Sequence, residues 1–173
     1  MDIKASIRTI PNWPKEGIMF RDITTLVQNP ESFNAACDML YDRYKDMEID
    51  KVLGIESRGF IFGAVLAYKL NAGLVIARKP NKLPYKTVSQ EYSLEYGTDK
   101  IEVHEDAILP GEKVLIVDDL VATGGTVQAA AKLVEKLKGE VVELGFVIGL
   151  PDILDKSKVE GYKTYTLVEF EGE

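Results

Sequence analysis

Val114-Leu115-Ile116-Val117-Asp118-Asp119-Leu120-Val121-Ala122-Thr123-Gly124-Gly125-Thr126 joins an apolar run, two adjacent acids and a glycine turn. The run Val114–Val117 predicts a strand buried on both faces. Val127, Ala130, Ala131, Val134 and Leu137 then recur at helical spacing, which predicts a helix over about 125–138. Strand, tight turn and helix in that order make half of a parallel βαβ unit.

The same alternation extends outward in both directions. Val52-Leu53-Gly54-Ile55 and Leu74-Val75-Ile76-Ala77 read as short buried strands, with a helix over about 59–70 between them. Val141 to Ile148 and Thr164 to Val168 supply two more strands, and Ile101 and Val103 alternate with charge as in a strand with one wet face. Asn29-Pro30-Glu31 reads as a helix start with Asn at the N-cap and Pro at the first helical position. Phe33, Ala36, Cys37, Leu40 and Tyr44 share one face of that helix, predicted near 30–46, which makes Cys37 a core residue. Residues 1–30, broken by Pro11, Pro14, Gly17 and Pro30, are expected to be irregular, and 79–98 to be a long loop or mobile hairpin. The expectation is one α/β domain over 1–173, with a mostly parallel central sheet covered by helices on both faces.

Charge and cysteine content narrow the function. The net charge of −7 argues against nucleic-acid binding, which usually shows a basic stripe. Positive charge gathers only in Arg78-Lys79-Pro80-Asn81-Lys82-Leu83-Pro84-Tyr85-Lys86, which suits a small anionic ligand better than a polymer. A single cysteine excludes a disulfide framework within the chain and fits a reducing cytosol. No signal-peptide stretch opens the chain, and none approaches the roughly 20 apolar residues that span a bilayer. A soluble, cytoplasmic protein is expected. His104, the one histidine, has no nucleophile suggested beside it and is read as structural or solvent-facing, so nucleophilic triads are not supported.

Ligands of open parallel sheets bind beyond the carboxyl ends of the strands. The residues following the apolar runs are Glu56-Ser57-Arg58-Gly59, Arg78-Lys79, Asp118-Asp119 and Gly149-Leu150. One rim should therefore gather an arginine, a basic pair, two carboxylates and an apolar side chain. Carboxylates accept hydrogen bonds from vicinal hydroxyls and can organise a hydrated Mg²⁺. A glycine turn into a helix offers unpaired N–H groups and a favourable dipole to a phosphate, and Thr123 and Thr126 add hydroxyls. An isolated Gly-Gly is an ordinary strand-to-helix turn; the two acids before it point to a ribose 5-phosphate. No P-loop motif and no helix-opening GxGxxG is present.

Residues 114–126 resemble the phosphoribosyl-pyrophosphate (PRPP) signature of the type I phosphoribosyltransferases. The resemblance implies that Asp118 and Asp119 hold the ribose hydroxyls, that Ala122, Thr123, Gly124, Gly125 and Thr126 cradle the 5-phosphate, and that Mg²⁺ arrives bound to the pyrophosphate of PRPP; contact with the aspartates, direct or through water, is left open. Pro14-Lys15-Glu16-Gly17-Ile18-Met19-Phe20-Arg21-Asp22-Ile23-Thr24, Glu56-Ser57-Arg58-Gly59-Phe60 and Tyr92-Ser93-Leu94-Glu95-Tyr96-Gly97 further resemble the adenine-specific members. With the signature, the likeness runs over nearly the whole chain. It implies transfer of adenine to PRPP, giving AMP and pyrophosphate. Met19, Phe20, Arg21 and Leu150 would form the base pocket, Phe20 and Leu150 as the two apolar faces. Ser57, Arg58, Arg78, Lys79 and Lys82 would hold pyrophosphate. Glu95 would exchange a proton with the purine under a closing lid sealed by Tyr96. Lys86 stands where many relatives carry an acid, and Trp13 is read as packing beside the prolines. The family is usually homodimeric. The alternatives are a sister enzyme for xanthine, guanine or hypoxanthine, and a non-catalytic PRPP-sensing regulator.

Overall fold

The computed structural model describes residues 1–94 and 96–172. Its centre is a five-stranded parallel sheet in the order β4-β3-β7-β8-β9, formed by Gly73–Ala77, Lys51–Ile55, Lys113–Val121, Glu140–Gly149 and Thr164–Glu169. Helices α2 (Pro30–Tyr44) and α3 (Gly59–Leu70) cover one face, and α4 (Gly125–Lys136) covers the other. Two cores result, and strand alternation sorts residues between them. Leu115 and Val117 of β7 face the α2–α3 layer, whereas Val114 and Ile116 face α4. Both kinds are fully buried, which explains why the strands read as continuous apolar runs.

Local chemistry starts the helices where the residues suggest. The Asn29 side chain accepts hydrogen bonds from the Glu31 and Ser32 amides at 3.0 and 3.1 Å, and Pro30 follows it. Cys37 lies in the core, and burial pushes its thiol up to about 11, so it is inert at neutral pH. Arg43 grips the buried Glu143 of β8 with two hydrogen bonds, at 2.7 and 3.2 Å, fastening α2 to the sheet.

Three expectations are corrected. Residues 1–30 are not irregular: β1 (Arg8–Pro11) and β2 (Met19–Asp22) pair antiparallel, and the short helix α1 (Thr24–Gln28) follows. Backbone pairing, the buried Asp22, which Arg8 and Thr24 bond, and the core side chains Ile3, Ile7, Ile23 and Leu26 hold this segment together without a regular apolar repeat. The strand beginning at 113 does not stop before the acids but runs on to Val121, so Asp118 and Asp119 lie inside β7. In place of the expected long loop or mobile hairpin over 79–98, β5 (Thr87–Ser93) pairs antiparallel with β6 (Thr98–His104), and their Tyr92, Ile101 and Val103 pack with the α4-side core. His104 accepts the Tyr85 amide at 3.3 Å and meets its ring edge-on. No helix among the described residues is long and apolar enough to cross a membrane.

Gly145 of β8 gives the fold a sharp steric test, because a Cβ there would sit 2.5 Å from the hydroxyl oxygen of the fully buried Tyr44. Gly145→Ala is expected to destabilise the protein by about 1–3 kcal/mol through overpacking. Urea midpoints should show this loss, and adding Tyr44→Phe should restore part of it.

Candidate active site

Five strand ends place the chemistry on one rim. From β3 the chain passes through Glu56, Ser57 and Arg58 directly into α3, and the Glu56–Ser57 peptide is cis. Arg58 reaches across to β7, where its Nε donates to Asp119 Oδ2 at 2.6 Å. This close approach requires Gly59, since a Cβ there would lie 2.9 Å from both the Val117 carbonyl oxygen and Asp118 Oδ1. Asp119 is almost enclosed, its side chain 6% exposed, whereas the Arg58 side chain keeps about half its surface (52%) for a ligand. The Asp119 charge favours the guanidinium form of Arg58 against the opposing effect of burial.

Asp118 is placed differently. Burial, and then the negative charge of Asp119, hold its carboxyl well above the usual carboxylate range. Its Oδ1 accepts the Asp119 amide at 2.8 Å. Beyond β7 the chain turns through Ala122–Gly124, with Gly124 at φ 92°, and α4 begins at Gly125. Asp118 and all five residues of 122–126 line one hollow of about 120 Å³. A carboxylate and a helix N-terminus sharing a small hollow can hold hydroxyls at one end and a phosphate at the other.

A larger cleft of about 480 Å³ lies alongside, lined by Lys15–Met19, Thr123, Leu150, Ile153 and Gly172. Thr123 is common to both cavities. Met19 and Leu150 are thus brought together beside the 122–126 turn. Phe20 and Arg21, their expected companions, are engaged elsewhere. The Phe20 ring meets Trp13 edge-on at 4.4 Å, giving Trp13 a packing partner. Arg21 donates to Thr9 Oγ1 at 2.6 Å, and its guanidinium lies 4.4 Å from the Phe170 ring centre.

The basic group is likewise held by acids. Arg78 Nε lies 3.4 Å from Glu56 Oε2, Lys82 pairs with Glu56 Oε1, and Lys79 pairs with Asp99 while donating to the Tyr92 hydroxyl at 2.7 Å. Reading the sequence assigned no role to Glu56, Asp99, Ile153 or residues 170–172. Glu56 was visible only as the residue before Ser57-Arg58, and the others carry no local signal because tertiary pairing alone brings them in. Glu95, the expected proton-transfer residue, lies outside the described residues.

Comparisons with known proteins agree with this geometry. Residues 22–168 match the family model of the phosphoribosyl transferase domain. The chain is 61% identical to an adenine phosphoribosyltransferase of Desulfosudis oleivorans and 57% identical to one of Chlorobium phaeovibrioides, over all of both chains in each case. A crystal structure of adenine phosphoribosyltransferase from Thermoanaerobacter pseudethanolicus superposes with a TM-score of 0.94 at 48% identity, covering 98% of each chain. The Saccharomyces cerevisiae enzyme, complexed with an imino-altritol bisphosphate and adenine, gives 0.90 at 38% identity over 96% of this chain and 97% of its own.

Proposed function

This chain belongs to the adenine phosphoribosyltransferase family, and from that premise we propose how its residues join adenine to PRPP, releasing AMP and pyrophosphate in purine salvage. The observation that carries the reading is the shared hollow of Asp118 and residues 122–126, beside the cleft of Met19 and Leu150. It offers adjoining places for a ribose 5-phosphate and a flat base, related by Thr123.

In this reading N9 of adenine attacks C1 of the ribose as the bond to pyrophosphate breaks, with inversion and an oxocarbenium-like transition state. Asp118 and Asp119 accept hydrogen bonds from the ribose hydroxyls and face the positive charge that develops on the sugar. The turn 122–126 anchors the 5-phosphate. Arg58, steadied by Asp119, turns its remaining N–H groups to the departing pyrophosphate, joined by Ser57, Arg78, Lys79 and Lys82. Two adjacent carboxylates suit a hydrated Mg²⁺ carried in on the diphosphate, with Asp118 the freer of the two because Asp119 already holds Arg58. When bound, that ion neutralises charge on the leaving group.

Adenine enters the larger cleft. Leu150, already in the cleft lining, provides one apolar face; Phe20 of β2, whose ring meets Trp13 here, would leave that contact to supply the other, and the backbone of β2 around Met19 and Arg21 meets the base edge, where mismatched groups would be left unpaired. Residues 79–98 act as a lid that excludes water, with Tyr96 at its seal, and Glu95 exchanges the proton at the purine. The protein works in the cytoplasm as a homodimer; Tyr68 of α3 and Leu74 and Ile76 of edge strand β4 are exposed apolar side chains available to such a contact.

The test is nucleotide formation from PRPP and Mg²⁺ with adenine, hypoxanthine, guanine or xanthine, followed by chromatography. AMP alone is expected, and Glu95→Ala should be slower by about a hundredfold, as removal of a general acid–base group implies. Conversion of a different base would move the chain to a sister enzyme and discard the base-pocket assignment. Full activity in Glu95→Ala would remove its proton-transfer role.

A further inference from the structure

Glu56 is an acid at a place where an anionic ligand is to bind. Its side chain is 12% exposed, and its two oxygens engage three groups of the basic segment. Oε2 accepts the Lys79 amide at 2.7 Å and lies 3.4 Å from Arg78 Nε; Oε1 pairs with Lys82 Nζ. The Glu56 amide, in turn, donates to the Ala77 carbonyl at 2.9 Å, tying the end of β3 to the end of β4. A carboxylate so close to pyrophosphate repels it and gains nothing from contact with the ligand. Its value lies in the cations, which repel one another and would otherwise spread into solvent.

We infer that Glu56 is a positioning residue for pyrophosphate, holding Arg78, the Lys79 backbone and Lys82 as one preformed cationic wall beside Ser57-Arg58. The contacts leave the wall able to bind. An ammonium has three donors, so Lys82 can keep one on Glu56 and turn the others to phosphate oxygens. The Arg78 contact is made through Nε at 3.4 Å without a hydrogen bond, so the two terminal guanidinium nitrogens are not the part that meets Glu56. The cations, and the amide that joins them, hold the Glu56 carboxyl below the usual range against the effect of its burial, so the wall is assembled throughout the neutral range.

This inference rests on the pyrophosphate reading of the basic segment, and its test separates the two. Glu56→Gln, Lys82→Met and the double variant would be compared in the full chain, varying PRPP and adenine independently and using pyrophosphate as a product inhibitor. Glutamine keeps the length and the acceptor for the Lys79 amide, and loses only the charge. Glu56→Gln should raise the KM for PRPP and the inhibition constant of pyrophosphate by about tenfold, the worth of one charge-assisted contact. The KM for adenine should stay within about twofold, since the base cleft does not include Glu56. If Glu56 acts through Lys82, the double variant should be little worse than Lys82→Met alone. Glu56→Asp, which keeps the charge, should recover part of the loss, and serves if the Gln variant folds poorly. A general loss of both KM values, or strictly multiplicative effects, would overturn the positioning role. So would an unchanged PRPP KM in Glu56→Gln beside a raised one in Lys82→Met. An unchanged PRPP KM in Lys82→Met would instead reject the pyrophosphate reading of the segment, and the inference with it.

Discussion

Asp119→Ala is expected to lower kcat/KM for PRPP by about three orders of magnitude, because it removes two charge-assisted contacts worth roughly 1.5–3 kcal/mol each. One is the proposed contact with the ribose hydroxyls. The other is the Asp119–Arg58 bond across β7 and the start of α3, which fixes the guanidinium proposed to meet the leaving group. Stability should respond very differently. Arg58 is about half exposed, so water replaces Asp119 as its partner once the carboxylate is gone. Loss of this pair should cost less than about 1 kcal/mol, or about 4 °C in melting temperature. Steady-state kinetics and thermal unfolding on the same preparation check both halves. A large fall in melting temperature with a proportionate loss of active protein would make Asp119 a structural acid instead. The coupling can be isolated as well: Arg58→Met combined with Asp119→Ala should cost much less than the product of the single effects.

The sheet and helices were legible because the central strands β3, β7 and β8 are buried on both faces and so appear as apolar runs, and edge strand β4 keeps the same apolar composition although Leu74 and Ile76 are exposed. Val52–Ile55, Leu74–Ala77 and Val114–Val117 all lie within the observed strands. The extension of β7 through Asp118 and Asp119 was not legible, since parallel pairing with β8 uses backbone groups and is indifferent to side-chain polarity. Asp118 still sits opposite Phe146, and Val121 opposite Gly149. For the same reason β1 and β2 pair in a segment with no apolar rhythm. The rim residues could be anticipated from strand ends alone, because the carboxyl edge of a parallel sheet collects whatever follows each strand. Their partners could not. Glu56 meets Lys82 and Lys79 meets Asp99 only because the loops after β3 and β4 and the β5–β6 hairpin share one edge. Ile153 and Gly172 join the cleft of Met19 and Leu150 by tertiary folding alone. The proton-transfer role of Glu95 rests on resemblance and its kinetic test.

Asp118→Asn should separate function from stability in the opposite direction to Asp119, making the protein less active and more stable. The carboxyl of Asp118 is held well above the ordinary range by burial and by the charge of Asp119. The native state therefore binds this proton more tightly than the unfolded chain does. Between the ordinary carboxylate value and the raised native one, folding takes up protons, and stability falls as pH rises through that window. Wherever Asp118 is ionised in the folded protein, its charge is a net cost to stability. Asparagine has no charge to desolvate and keeps an oxygen for the Asp119 amide, which now bonds Oδ1 at 2.8 Å. The variant should gain about 1 kcal/mol at pH 7.5, a typical return when functional strain is removed. The gain should shrink as the pH falls toward the range where wild-type Asp118 is itself protonated. Activity should fall by about a hundredfold, since the amide no longer offers a full negative charge to the ribose hydroxyls or the developing cation. Adding PRPP with Mg²⁺ should reverse the order of stability, because the ligand stabilises wild type in proportion to its tighter binding. Unfolding curves across pH, with and without PRPP, decide the matter. A variant less stable than wild type at pH 7.5 would mean that the ionised carboxylate is supported by contacts beyond those described. A stable variant with unimpaired kinetics would mean that Asp118 does not touch the ribose.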